Sequence, residues 1–360
     1  ARGARAPRRR AAQARHAEGA GRDWSAALTA KLEGSDGFYQ VHPFIGFVMR
    51  PGASLDSPRG QFSVNSLGYR GAEFDKVKAP GTFRVACLGG STTWGSGASC
   101  DDATWPAALQ RDLTALLPSG GPYQRVEVIN AGAPGYTLME SFVQLKMRLV
   151  PLQPDLIVVY HGINDARVMG RGNFEPDYTH VRRAFTAPVP TSAEILLGWS
   201  HLYGLARESF GAREDLEQII YVPGFETMPM TERVELGRAT YLRTLTELVA
   251  VARVSGADVL FTTFGYTREL PMKYEWMLDY GFLVTDQLNA ATAEVAQRQD
   301  VPVADVAACL GGEGKYFVDP VHLNDTGNRM IARCIAQRIQ EAGLLKGPVG
   351  PQVTRPLGEK

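Results

Sequence analysis

The stretch RVACLGGSTTWGSG, residues 84–97, decides the fold, because an apolar run of strand length ends there in a glycine-rich turn. Runs of this kind are typical of strands buried on both faces of a sheet. Four more follow along the chain, at 126–130 (VEVIN), 156–161 (LIVVYH), 257–264 (ADVLFTTF) and 302–307 (PVADVA). The five runs predict a five-stranded buried sheet.

Helical segments separate these runs. One begins near Thr104 with Pro106 in its first turn, another covers about 233–253, and a last one starts after Asn324 and ends near Gly343. Alternating strands and helices predict an α/β fold, with a parallel sheet and helices on both of its faces. Ligands of such folds bind beyond the carboxyl ends of the strands, so we expect functional side chains directly after strands.

Composition excludes several classes of protein. The 360 residues are 44% hydrophobic and 21% charged, which is typical of a folded globular chain, and 38 basic residues balance 38 acidic ones. This balance gives no global field to attract nucleic acid, and no apolar run approaches the roughly 18 residues of a transmembrane helix. Four cysteines and six histidines lack the spacing of metal sites or a disulfide scaffold. We therefore predict neither a metal nor a cofactor.

Composition and the pattern of apolar runs divide the chain into four parts. Residues 1–34 are an arginine-rich arm that we expect to be disordered, 35–82 an extension packed on the core, 83–345 the main domain, and 346–360 a flexible tail. Residues 166–232 are an insertion in the main domain, and its apolar stretch 195–205 is either a core helix or a lid that meets lipid. The start without Met is compatible with an exported, periplasmic or membrane-anchored protein before processing, which we expect, with a cytoplasmic one as the alternative.

The glycine turn after the first strand presents Ser91 at the carboxyl edge of the sheet. It is not a phosphate-binding loop, because no lysine follows, and its glycines do not have the dinucleotide-binding spacing. It also lacks the GxSxG pattern, since Thr93 occupies the last position. Taken alone, this segment is a tight turn or the site of a nucleophile.

Three further loops follow strands or precede the last helix. Gly135 can expose a backbone N–H, and Asn164 places an amide at the same edge of the sheet, as a donor or a helix cap. Asp319 precedes His322 by three residues, so its carboxylate can orient the imidazole and leave Nε2 free to accept a proton. Together with Ser91, these residues supply a nucleophile, a base with its orienting group, and oxyanion donors.

The four loops resemble the sequence blocks of the SGNH (GDSL-type) hydrolase superfamily over about residues 83–342. The resemblance implies a flavodoxin-like, three-layer α/β/α fold and ester hydrolysis through an acyl-serine. By motif match, Ser91 would be the nucleophile, His322 the base and Asp319 its partner. The Ser91 and Gly135 N–H groups and the Asn164 side chain would form the oxyanion hole.

One departure from that pattern lies beside the nucleophile. The usual Gly-Asp-Ser-Leu is here Gly-Gly-Ser-Thr, so Gly90 stands where the family has an acidic residue. The contacts that support the turn must therefore come from elsewhere.

Three more residues are candidates for the pocket. Trp94 and Tyr136 directly follow the site loops and His161 ends the third strand, although plain packing is an equal or better explanation of each. We expect a metal-independent esterase for a short, acetyl-like acyl group on a small-molecule or glycan hydroxyl. Alternatives are an acyltransferase using the same acyl-serine, a lipase or lysophospholipase, and a catalytically inactive binding module. The sequence does not indicate an oligomeric state.

Overall fold

The computed structural model describes residues 37–57, 60–172, 174–179, 228–272 and 274–346. The predicted arm at 1–34, the apolar stretch 195–205 and the tail beyond residue 346 lie outside the described residues.

A parallel five-stranded sheet forms the centre of the molecule. Its strands are β5 (Thr82–Gly89), β6 (Arg125–Asn130), β7 (Leu156–Tyr160), β8 (Asp258–Thr262) and β9 (Val303–Ala304), in the order β6-β5-β7-β8-β9. All four neighbouring pairs are parallel. Numbered within the sheet, this order is 2-1-3-4-5, the flavodoxin-like arrangement, and its switch point lies beside β5. The predicted fold class is confirmed.

Helices cover both faces of this sheet. They are α1 (Ser91–Trp94), α2 (Trp105–Ala115), α3 (Leu138–Gln144), α4 (Ile163–Met169), α5 (Met230–Val254), α6 (Phe282–Gln299), α7 (Val306–Leu310) and α8 (Asp325–Glu341). A π-helical turn, Leu145–Leu149, follows α3, and another, Met277–Gly281, precedes α6. Helices α2 and α8 pack on one face of the sheet, whereas α5 and α6 pack on the other.

The side chains of β5 point alternately to the two faces of the sheet, which explains the three layers. Phe83, Val85 and Cys87 belong to the core on the α2 side, whereas Ala86 and Leu88 belong to the core on the α5 side. Successive side chains of a strand point to opposite faces, so a strand that is apolar throughout is buried on both faces of the sheet. Its carboxyl end, directly before Ser91, is thereby fixed between two cores.

Two details differ from the sequence prediction. The fifth strand was predicted over 302–307, but it covers only Val303–Ala304, because the Asp305 side chain accepts a hydrogen bond from the Ala308 N–H and begins α7. A disulfide joins Cys309 of α7 to Cys334 of α8, which the sparse cysteines did not suggest.

Residues 37–81 precede the sheet and contain two antiparallel hairpins. Strands β1 (Tyr39–His42) and β2 (Gly46–Met49) form the first, and β3 (Ser54–Ser57) and β4 (Gly60–Ser63) form the second. Apolar residues of the first hairpin pack against Trp94, Ala133 and Tyr136. The first hairpin therefore lies over the loops that follow β5 and β6, at the edge where the candidate site residues are found.

None of the helices in the described part of the chain combines the length and the apolar character needed to cross a bilayer. The same residues contain no group of three or more His, Cys, Asp or Glu side chains placed to hold a metal ion.

Candidate active site

Ser91 is the first residue of α1, a single helical turn that follows β5 after Gly89 and Gly90. The turn ends at Gly95, whose φ of 91° is left-handed and favours glycine. The Gly95 N–H donates to the Ser91 carbonyl at 2.8 Å, and the Trp94 N–H donates to the Gly90 carbonyl at 2.9 Å. The short turn thus presents the Ser91 side chain at the carboxyl end of the central strand.

Asp319 and His322 share a tight turn before α8. One carboxylate oxygen of Asp319 accepts hydrogen bonds from the N–H groups of Val321 (3.0 Å) and His322 (2.9 Å). The Val318 N–H closes the turn on the His322 carbonyl at 2.9 Å. This local bonding fixes the carboxylate and the imidazole relative to each other.

Asp319, His322 and Ser91 form a continuous chain of hydrogen bonds. The other Asp319 oxygen lies 2.6 Å from His322 Nδ1, and His322 Nε2 lies 2.7 Å from Ser91 Oγ. With Nδ1 protonated towards the carboxylate, Nε2 can accept a hydrogen bond from the Ser91 hydroxyl. Thr92 Oγ1 also donates to the Val321 carbonyl at 3.2 Å, which ties α1 to the histidine turn.

The Asp319 carboxylate is suited to this position. Burial acts to raise its pKa, but the hydrogen bond and charge of His322 and the two backbone N–H groups outweigh burial, so the pKa is lowered. Asp319 therefore remains ionised at neutral pH and can stabilise an imidazolium at His322.

Three loops meet at Gly90. Asn164 Nδ2 donates to the Tyr136 carbonyl at 2.9 Å, which joins the loop after β7 to the loop after β6. A Cβ at Gly90 would lie 2.5 Å from Asn164 Nδ2 and 3.2 Å from the Tyr136 carbonyl oxygen. The Asn164 amide therefore lies against the backbone directly preceding Ser91. Gly135, next to Tyr136, has a φ of 86°, which favours glycine.

Asn164 is not a helix cap. It lies inside the first turn of α4, whose N-cap is Gly162. The next residue, Asp165, is fully buried and accepts from the Leu138 N–H at 3.0 Å, which fixes α4 against the start of α3. Burial raises the pKa of Asp165 to about 8, with the negative charge of Glu140 adding to the effect and the bond from Leu138 opposing it.

The three pocket candidates are buried side chains. His161 Nε2 lies 2.8 Å from Ser141 Oγ, and burial lowers the His161 pKa to about 3, so the ring is neutral. Its Nδ1 lies 3.8 Å from Asp165, too far for a hydrogen bond. The Tyr136 hydroxyl donates to the Phe47 carbonyl, and Trp94 packs with the same hairpin. Trp94 and Tyr136 are not among the residues that line the cavity beside Ser91, whereas His161 is.

That cavity is small, with a volume of about 10 Å³. It is lined by Gly90, Ser91, Thr92, Tyr160, His161, Gly162, Ile163, Asn164 and Phe264. Phe264 stacks on Tyr160 with ring centroids 4.9 Å apart and forms an apolar wall. A cavity of this size holds about one water molecule, or a group of similar bulk.

Arg70, which the sequence did not single out, also contacts the nucleophile turn. It donates to the carbonyls of Trp94 and Gly95, and Asp101 is its ionic partner. The sequence signal for such a contact was indirect: Gly90 replaces the acidic residue of the family pattern, so the support of the turn had to come from elsewhere.

A comparison with known families identifies the class of this protein. The model of the GDSL-like Lipase/Acylhydrolase family matches residues 87–330. The chain therefore belongs to this family and is an ester hydrolase of the GDSL type. A comparison with curated proteins finds no match.

Solved structures similar to this chain share little sequence with it. A lipase/acylhydrolase from Enterococcus faecalis is 17% identical, with 72% of this chain and 96% of that chain covered and a TM-score of 0.44. An acetyl xylan esterase from Geobacillus stearothermophilus is 16% identical, with 74% and 97% covered and a TM-score of 0.44. A GDSL-like lipase from Bacteroides thetaiotaomicron is 16% identical, with 72% and 89% covered and a TM-score of 0.41.

Proposed function

We propose that the protein is a serine esterase that removes a short acyl group, such as acetyl, from a hydroxyl of a small-molecule or carbohydrate-like substrate. The observation that carries the proposal is the hydrogen-bond chain from Asp319 through His322 to Ser91. In this role Ser91 is the nucleophile, His322 the general base and Asp319 the group that orients the imidazole.

The first half of the reaction acylates Ser91. Its Oγ attacks the ester carbonyl carbon while His322 Nε2 accepts the hydroxyl proton, and negative charge develops on the carbonyl oxygen. The N–H groups of Ser91 and Gly135 and the amide of Asn164 donate to this oxygen. The carbon–oxygen bond to the alcohol then breaks, and the alcohol leaves with the proton from His322.

The second half releases the acid. A water molecule gives a proton to His322 Nε2 as it attacks the acyl carbon, the bond to Ser91 breaks, and the serine hydroxyl regains a proton. Asp319 accepts a hydrogen bond from Nδ1 throughout and favours the imidazolium formed in each half.

The small cavity supports the short acyl group. Its lining, which includes Phe264 and Ile163, leaves about 10 Å³ beside Ser91, room for about one water-sized group. A longer acyl chain would have to extend beyond this space.

The test combines labelling with an acyl-length series. A fluorophosphonate probe should label the wild type and not Ser91→Ala, while Ser96→Ala, which alters an exposed serine five residues away, is the matched control and keeps both labelling and turnover. Acetyl and butyryl p-nitrophenyl esters should be hydrolysed faster than esters of about ten carbons or more. Equal labelling of Ser91→Ala would refute the mechanism, whereas a preference for long chains would refute only the short acyl group.

A further inference from the structure

Arg70 reaches the nucleophile turn from outside the segment that matches the family, which begins at residue 87. Its side chain is 1% exposed. Its Nη1 donates to the Trp94 carbonyl at 2.6 Å and to the Gly95 carbonyl at 2.9 Å. These carbonyls lie at the carboxyl end of α1, where a cation is favourable because the helix leaves such groups unsatisfied.

The guanidinium is itself held on several sides. Asp101 accepts from Arg70 Nε at 2.7 Å, and its second oxygen accepts from the Ser63 N–H at 2.9 Å. The Arg70 guanidinium carbon lies 4.4 Å from the ring centroid of Phe62 and 5.2 Å from that of Trp94. Because its Nε and Nη1 are both engaged in a planar fork, the guanidinium fixes the direction as well as the distance of the two carbonyls.

The turn depends on bonds from outside itself. A helix of one turn is too short to be stable alone, and its own backbone bonds are those from Trp94 to Gly90 and from Gly95 and Ser96 to Ser91. Two longer side-chain bonds, from Thr92 to the Val321 carbonyl (3.2 Å) and from Asn130 to the Trp94 carbonyl (3.4 Å), add to the two short bonds from Arg70. Gly90 has no side chain to brace the residue before the nucleophile. We propose that Arg70 is the positioning residue of the nucleophile, which sets the direction of Ser91 Oγ towards His322 by holding the carboxyl end of its turn.

This inference rests on the proposed function, because it requires Ser91 to be the nucleophile. It predicts a loss of rate rather than of substrate affinity. A serine displaced by about 1 Å from its base can lose on the order of 100-fold in rate. Arg70→Lys keeps the charge but replaces the planar fork with a point charge, which cannot hold both carbonyls and Asp101 in the same geometry.

The experiment measures kcat, KM and the thermal midpoint of Arg70→Lys and Arg70→Ala with an acetyl ester. We expect kcat to fall about 10- to 100-fold in both variants, with KM changed less than about threefold. Millimolar guanidinium chloride should restore part of the kcat of Arg70→Ala, and the same concentration of sodium chloride should not.

Arg84 provides the matched control. It is also fully buried, forms an ion pair with Glu127 at 2.7 Å and donates to three backbone carbonyls, but it lies near the amino end of β5. Arg84→Lys should lower the thermal midpoint at least as much as Arg70→Lys and leave kcat unchanged. An equal loss of kcat in both variants would overturn the inference, because it would make the effect a general result of disturbing a buried arginine.

Asp101→Asn covers the case in which the Arg70 variants do not fold. It leaves the guanidinium in place but removes the charge that fixes Nε, so we expect a smaller fall in kcat with KM unchanged. Wild-type kcat in Asp101→Asn, or in Arg70→Lys, would refute the positioning role. Failure of the proposed function gives a different result, since turnover would then survive in Ser91→Ala.

Discussion

Substitution of Gly90 by alanine should disable the enzyme without unfolding it. The added Cβ would lie 2.5 Å from Asn164 Nδ2, whereas ordinary contacts begin near 3.4 Å, so the amide must retreat by about 1 Å. Gly90 has a φ of −88° and a ψ of −147°, outside the main regions that alanine favours, so the substitution also carries a backbone cost of about 1 to 3 kcal/mol. The effect on rate, in contrast, comes from the displaced Asn164 amide.

The magnitude follows from the oxyanion role proposed for that amide. One preorganised oxyanion donor contributes roughly 3 to 4 kcal/mol to transition-state stabilisation, so kcat should fall about 10²- to 10³-fold with a modest change in KM. The fold loses the hydrogen bond from Asn164 to the Tyr136 carbonyl, which is worth about 1 kcal/mol, in addition to the backbone cost. The assay is steady-state hydrolysis of an acetyl ester together with the thermal midpoint of the same sample.

A double-mutant cycle separates this mechanism from a general disturbance. Asn164→Ala alone should lower kcat by a similar factor, and Gly90→Ala combined with Asn164→Ala should be no slower than Asn164→Ala, because the clash disappears with the amide. Gly256→Ala is a control that should lower stability without lowering kcat. Its φ of 84° makes alanine costly by about 1 kcal/mol or more, and it lies before β8, away from the site, so stability falls while kcat is kept. Losses that multiply in the double variant, or wild-type kcat in Gly90→Ala, would refute the reasoning.

Three further predictions concern the triad, the disulfide and a buried carboxyl. His322→Ala should lower kcat on the order of 10⁴-fold, and Asp319→Ala less, because the imidazole keeps its bond to the serine; equal losses would contradict the roles assigned. Reduction of the Cys309–Cys334 disulfide, which closes a loop across 25 residues, should cost about 3 kcal/mol and lower the thermal midpoint measured with dithiothreitol; an unchanged midpoint would contradict this. Asp165 has a pKa of about 8 in the folded state, above its unfolded value near 3.9. Between these pH values the folded state binds one more proton than the unfolded state. The free energy of unfolding therefore falls as pH rises, by up to about 1.4 kcal/mol per pH unit. Asp165→Asn should remove this pH dependence, so from pH 5 to pH 9 the variant should become more stable relative to the wild type, as measured by the free energy of unfolding. A stability difference that does not change with pH would contradict the raised pKa.

Much of the fold was predictable because its signals are local. A strand buried on both faces is a short apolar run, and the end of such a run marks the edge of the sheet where ligands bind. Ser91 and Asn164 follow two such runs, and the structure brings both to one edge. The fifth strand was overestimated because one local signal competed with another. The run from 302 to 307 is apolar, but Asp305 within it is a strong N-cap and converts the second half into a helix.

Pairings between distant residues were not predictable in the same way. The Cys309–Cys334 disulfide depends on α7 lying beside α8 with the two Cα atoms 6.6 Å apart, and no spacing rule for cysteines contains that distance. The two possible roles of Asn164 also required coordinates, since a residue that follows a strand by a few positions can cap the next helix or lie inside it. Only the assignment of the N-cap to Gly162 separates them.

Arg70 shows what such a pairing means for the site. Its guanidinium must lose most of its hydration to lie at 1% exposure, which is costly unless charge and hydrogen bonds replace the water. Asp101 supplies the charge, and the carbonyls of Trp94 and Gly95 at the carboxyl end of the short helix α1 supply acceptors. Each group therefore offsets the desolvation of the other, and removal of the guanidinium would take away the ionic partner of Asp101 and one hydrogen bond from each carbonyl. This mutual dependence ties the hairpin segment to the nucleophile turn, so residues outside the family match become part of what holds Ser91 in place.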